Sequence, residues 1–176
     1  RSELRIGNKK ILLGVASTWD KRKGLQDFVE LDEIINKEYQ IVLVGLNKKQ
    51  LDELPDTIFG IARTESLQEL AELYSVAHVF INPTYVDNFP TTNIESLACG
   101  TPVITYNTGG SPEAIDTDTG KVVEKGDIVG LWNAINELSI HSKEHFTKVC
   151  RGRAEKMFNK EHRYKDYLKL YEELID

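Results

Sequence analysis

Cysteine is scarce. Cys99 and Cys150 are the only two in 176 residues, and they form no Cys-x-x-Cys pair. That spacing argues against a disulfide framework and against a cysteine zinc site. Long apolar runs are also lacking: no stretch approaches the roughly 18 residues that a membrane span requires. No stretch reads as a signal peptide. Positive charge is in deficit, with 22 Lys and Arg against 28 Asp and Glu, for a net charge of -6. The densest basic run, Lys21-Arg22-Lys23, suits a phosphate or two better than a nucleic-acid duplex, so no nucleic-acid partner is expected. No metal cluster is evident, since His141, His145 and His162 lie in the charged C-terminal region without ligand spacing. Internal repeats and low-complexity segments are missing too.

What remains is a globular composition, 40% hydrophobic and 28% charged, long enough for one domain with its own core. The chain begins Arg1-Ser2-Glu3 without Met, so a fragment or processed product is expected. Residues 1–9 are polar and read as a linker, with the domain over 10–176. Cytoplasmic residence fits this profile. Cys99 reads as a reduced core residue.

Apolar periodicity divides the chain. Residues 11–16, 40–45, 78–82 and 102–105 are short apolar runs of buried-strand type, and 57–61 is a weaker one. Residues 23–36, 66–77, 92–99 and 127–138 carry apolar side chains at helical spacing, and Ser66 with Glu69 has the pattern of a capping box. The tail is helical, with Tyr164, Tyr167, Leu168, Tyr171 and Leu174 on one face. Strands alternating with amphipathic helices specify an α/β fold, a Rossmann-like parallel sheet with helices on both faces. In such sheets ligands bind beyond the carboxyl ends of the strands.

The strand-to-helix connection over 87–95 carries the most chemistry. Pro90 suits a helix start or its approach. The N–H groups of Thr91, Thr92 and Asn93 would then be unpaired and form an anion site with the helix dipole. Glu95 has two readings: Thr92-x-x-Glu95 is itself a capping box, or the carboxylate faces a ligand. Asp87 is either a loop carboxylate in an Asx-turn or a second functional acid. Gly109-Gly110 is a tight turn or a point of close approach to a phosphate or sugar. Glu113 reads as a first-turn acid facing a helix dipole. His78 reads as hydrogen-bonded structure, and Trp19 and Trp132 as packing.

The stretch Asp87 to Glu113, DNFPTTNIESLACGTPVITYNTGGSPE, resembles the signature region of the family 4 (group 1) glycosyltransferases, retaining enzymes of the GT-B fold. Asp87 and Glu95 take the two acidic positions, seven residues intervening. Ala98 to Val103 matches the small-residue helix end with Pro-Val, and Gly109-Gly110-Ser111-Pro112-Glu113 matches the following loop. Leu70 to Pro83 is similar to the preceding helix and strand, Val42 to Gly45 to the strand leading to the nucleotide, and Lys23-Gly24-Leu25 to the opening of the first helix. The likeness covers roughly residues 10–175.

The resemblance implies one half of a two-domain enzyme, its C-terminal nucleotide-sugar-binding domain, with the N-terminal acceptor-binding domain as its partner. Peripheral membrane association would run through that other domain. The substrate implied is a nucleoside diphosphate sugar, with no cofactor and no bound metal. Transfer would proceed with retention to a saccharide or lipid-linked acceptor, as in bacterial surface-polysaccharide assembly, and this chain alone would bind but not transfer. By the same resemblance Glu95 binds the ribose hydroxyls, Asp87 lies against the transferred sugar, and Lys23 neutralises the departing diphosphate. Thr91 and Thr92 add N–H donors, with Asn88 and Phe89 beside them. The base lies near Gly45, Gly60 and Arg63.

Three positions depart from the family pattern. Asp87 is one methylene shorter than the usual Glu, which moves the carboxylate by about 1 Å. Asn88-Phe89-Pro90 replaces Gly-Phe-Gly, and Pro90 has no N–H to donate. The Arg usually found before the Lys is replaced by Ser17 or Thr18. Arg22 or Lys21 substitutes for that cation, or both are solvated surface. These departures keep a second reading open, a non-catalytic nucleotide-sugar-binding or scaffolding domain. A sugar-nucleotide epimerase of the same architecture is a third, disfavoured by the Lys-Gly-Leu and acidic-pair series.

Overall fold

The computed structural model describes residues 7–175. Residues 1–6, most of the expected linker, lie outside this range. Six parallel strands form one sheet: β1 (Lys10–Val15), β2 (Tyr39–Val44), β3 (Phe59–Ile61), β4 (Val79–Asn82), β5 (Val103–Tyr106) and β6 (Gly120–Val123), in the order β3-β2-β1-β4-β5-β6. The helices are α1 (Leu25–Ile34), α2 (Lys48–Glu53), α3 (Leu67–Val76), α4 (Thr91–Ala98), α5 (Ile128–Leu138), α6 (Lys143–Phe158) and α7 (Lys160–Ile175). Leu12, Leu13, Ile41, Leu43, Phe80 and Ile81 of the inner strands are buried. This burial is why those runs are apolar throughout instead of alternating. Helix α1 packs with α5, and α4 with both α3 and α6.

The sheet grows outward in two directions. Strands β1 to β3 run one way, and β4 to β6 run the other from the far side of β1. Between β1 and β4 the order reverses, and the connections leaving those two strands open a crevice at their carboxyl ends.

Several local expectations change. The helix expected from Lys23 begins at Leu25, and Lys21–Lys23 form a separate 3-10 turn. Gly24 separates them at φ 71°, and a Cβ there would lie 2.3 Å from the Pro83 carbonyl oxygen. No other residue fits so near that backbone without displacing it. Ser66 caps α3 through the Glu69 N–H at 3.1 Å. The Glu69 carboxylate, however, accepts from Glu65, so the reciprocal half of the box is displaced by one residue. Strand β6 and helix α2 were not anticipated. Cys150 is buried, whereas Cys99 is only half-buried, against the expectation of a core residue. Helix α7 confirms the helical tail, but its apolar side chains are exposed.

Candidate functional site

A cleft of about 550 Å³ opens beyond the carboxyl ends of β1, β2 and β4. Ser17, Lys23, Gly45, Arg63, Asp87, Phe89, Thr91, Thr92 and Glu95 all line it. Thr18, Arg22, Asn88 and Gly60, the remaining expected site residues, are not on its wall.

Lys23 reaches the cleft from the short turn ahead of α1. Its Nζ lies 2.6 Å from Asp87 Oδ2, and both side chains are partly shielded from solvent. Asp87 is held by backbone contacts beneath it. The Gly110 N–H donates to Asn88 O at 2.8 Å, and a Cβ on Gly109 would lie 1.9 Å from Asp87 O. The glycine pair is therefore a point of close approach, but to the Asp87 loop itself. Asn88 serves this loop through its backbone while its side chain is exposed.

Pro90 is the N-cap of α4 and supplies no side-chain cap. The Asn93 N–H donates to Pro90 O at 3.2 Å, so it is not available to a ligand as the sequence suggested. The N–H groups of Thr91 and Thr92 have no partner among the described residues and belong to the cleft wall. Beneath them Asn82 donates to Asn93 Oδ1 at 2.9 Å, and Asn93 donates to Ser111 O at 3.1 Å. This buried chain fixes the helix start to the end of β4, and no periodicity argument exposes it.

Glu95 does not close a capping box. Its Oε2 accepts from the Tyr74 hydroxyl on α3 at 3.1 Å, and Glu95 lines the cleft. Tyr74 is buried, and burial, with the neighbouring Glu95 charge, pushes its hydroxyl above the ordinary tyrosine range. The bond is thus a stable donation from tyrosine to carboxylate. Sequence reasoning placed Tyr74 on an apolar helix face and missed its polar end.

Arg22 turns away. Its Nη2 lies 2.7 Å from Asp20 Oδ2, and that hydrogen-bonded contact holds the exposed Asp20 carboxyl below its usual range. As placed, Arg22 does not supply the missing cation. Thr18 is exposed. Gly60 sits under α2, where a Cβ would meet Leu51 at 2.6 Å, so it is a packing glycine. Trp19 is packing as expected: it is buried, lies edge-on to Phe28, and donates from Nε1 to Val44 O. His78 is hydrogen-bonded to Ser139 at 2.8 Å. Glu113 lies in the first turn of a 3-10 helix, as its position after Pro112 predicts. Among the described residues no group of three or more His, Cys, Asp or Glu side chains is placed to hold a metal, and no helix is long and apolar enough to cross a membrane.

Residues 9–140 match the family model described as glycosyl transferases group 1. The chain belongs to this family. It is 27% identical over 145 residues to the capsular polysaccharide biosynthesis glycosyltransferase CapM of Staphylococcus aureus, covering 76% of this chain and 38% of that protein. A D-inositol 3-phosphate glycosyltransferase of Mycobacterium bovis is 36% identical over 90 residues, covering 50% of this chain and 17% of the other. The sucrose-phosphate synthase structure from Thermosynechococcus elongatus superposes with a TM-score of 0.82 at 27% identity, over 99% of this chain and 48% of that one. Anabaena HepE, solved in complex with UDP, gives a TM-score of 0.84 at 16% identity, over 98% and 51%. These neighbours are GT-B glycosyltransferases. The chain spans about half the length of the matched structures and less of the curated relatives.

Proposed function

We propose that this chain is the nucleotide-sugar-binding half of a retaining glycosyltransferase, and that the cleft beyond β1 and β4 holds a nucleoside diphosphate sugar. The observation that carries this reading is the convergence of Lys23, the open α4 start and Glu95 on one cleft. The lysine ammonium has three donors. One reaches Asp87, leaving two for diphosphate oxygens. The free N–H groups of Thr91 and Thr92 add donors and the positive end of a helix dipole. Glu95, an acceptor only, takes the ribose hydroxyls through the oxygen that Tyr74 leaves open. Arg63, Ser17 and Gly45 stand around the base end of the cleft.

In the proposed reaction the bond from the anomeric carbon to the diphosphate oxygen breaks. The acceptor hydroxyl oxygen then bonds to that carbon on the same face and gives up its proton to the departing diphosphate. Charge accumulates on the leaving diphosphate, and Lys23 with the α4 start would stabilise it as it develops. Asp87 would lie against the transferred sugar. No cofactor or metal enters this scheme. The acceptor would be a saccharide or lipid-linked saccharide held by a second domain, and the staphylococcal relative's role in capsule synthesis supports a surface-polysaccharide setting.

Calorimetric titration with UDP, GDP and ADP tests the proposal, UDP first because the Anabaena neighbour was crystallised with it. Binding of at least one nucleotide without sugar transfer is expected. A folded chain that binds none of the three overturns the reading. In the two-domain protein, Glu95→Ala should abolish transfer, and unchanged transfer would favour a scaffolding role.

A further inference from the structure

Asp27 is a buried carboxylate with no cation beside it. It lies in the first turn of α1, 5% exposed, and no Lys or Arg pairs with it among the described residues. Its partners are two phenols. Tyr85, just after β4, donates to the carboxylate at 3.1 Å, and Tyr106, the last residue of β5, donates to Oδ2. Tyr106 is fully buried, and the two tyrosine rings pack edge to face at 5.7 Å. A buried carboxylate without a counter-ion is costly unless its oxygens are satisfied, so the site is tied to holding both phenols.

Two of these segments also carry the cleft's charged pair, Lys23 just ahead of α1 and Asp87 after β4. The Tyr85 N–H donates to Arg22 O at 2.6 Å, and Thr84 Oγ1 donates to that carbonyl at 3.2 Å. Arg22 precedes Lys23, and Tyr85 stands two residues before Asp87. Thr108, two residues after Tyr106, donates to Thr84 O at 2.7 Å. The loops after β1, β4 and β5 are thereby joined at the carboxyl end of the sheet.

We infer that Asp27 is a positioning residue: through Tyr85 and Tyr106 it locks the turn bearing Lys23 to the loop bearing Asp87, and so sets the Lys23–Asp87 geometry without touching the ligand. Its functional part rests on the donor-site reading above. Its structural part does not.

Two measurements on this chain test it. The first needs no ligand. Amide hydrogen exchange at Tyr85 should quicken about tenfold in Asp27→Asn, while Leu13 and Val42 in the central strands keep their protection. The second is a thermodynamic cycle on UDP affinity. Asp27→Asn alone should weaken UDP binding about tenfold, because misplacing a charged group by a fraction of an ångström is enough. In a Lys23→Met background it should add almost nothing. Tyr85→Phe removes one hydroxyl and should show both effects at smaller size, which keeps the test available if Asp27→Asn fails to fold. Unchanged exchange at Tyr85, or penalties that simply add, would overturn the inference. A chain that binds no nucleotide while the exchange result holds would sink the donor reading and leave the interlock standing.

Discussion

The Tyr74 hydroxyl donates to Glu95 across the gap between α3 and α4 at 3.1 Å, and this bond takes the carboxylate away from its own helix start. Tyr74→Phe removes the donor and little else. A hydrogen bond to a charged group contributes roughly 1.5–3 kcal/mol, less where water can replace the donor as it can here. We expect nucleotide affinity to fall about three- to tenfold with little change in thermal midpoint. Calorimetry beside a melting curve checks this; unaltered affinity would mean that Glu95 needs no support.

Lys23 separates diphosphate recognition from nucleoside recognition. The wild-type chain should prefer UDP to uridine, and Lys23→Ala should erase most of that preference while uridine binding stays the same. Its ion pair with Asp87 is only partly shielded, so stability should change by less than about 1 kcal/mol. Parallel titrations of the two ligands decide the matter: equal losses for both would place Lys23 away from the phosphates.

Gly24→Ala should destabilise the fold. The backbone is left-handed there, and the new methyl would meet the Pro83 carbonyl. Strain of this kind costs about 1–3 kcal/mol before any clash is counted. Urea denaturation measures it, and a midpoint equal to wild type would show that the β1 and β4 loops can part without cost.

Asp27 gives a pH signature. Burial raises its carboxyl above the ordinary value of 3.8, and the nearby Glu30 charge adds to the rise, while the Tyr106 and Tyr85 hydroxyls oppose it. The folded state therefore holds this proton to higher pH than the unfolded state does. The resulting stability is complete below the ordinary carboxylate range and is lost as pH rises through the folded value. Asp27→Asn stays neutral and should lose less stability over that rise. Thermal midpoints of both chains from about pH 4 upward reveal it; curves that stay parallel would contradict the assignment.

The sheet and its site were legible in unequal measure. Inner strands announce themselves because both faces are covered, as in Ile41-Val42-Leu43-Val44. Strand β6 does not, since Gly120-Lys121-Val122-Val123 is an edge strand with Val122 exposed. Helix α2 has no apolar periodicity, because Leu51 is its only apolar residue, and its start rests on an Asn47–Gln50 capping box. Lys23, Asp87 and Glu95 are singled out by the resemblance to the group 1 glycosyltransferases, spacing alone leaving both carboxylates with two readings, and the fold brings all three to one cleft. Their supports were not legible: Tyr74, Asn93 and Asp27 act through contacts between segments distant in the chain. Spacing cannot tell which way a loop cation turns, so it leaves Arg22 open between a ligand and solvent, nor whether a glycine such as Gly60 serves a ligand or a packed leucine.

Lys23 and Asp87 stand 64 residues apart in the chain, and Asp27 and Tyr106 stand 79 apart. The cleft therefore does not exist as a local motif; it appears only once β1, β2 and β4 are side by side. Folding and recognition become linked equilibria. A nucleotide present at a hundred times its dissociation constant would stabilise the native chain by about 2.7 kcal/mol. The converse also holds: a core substitution far from the cleft that leaves part of the population unfolded lowers the apparent affinity by the folded fraction, so a defect in packing can pass for a defect in binding.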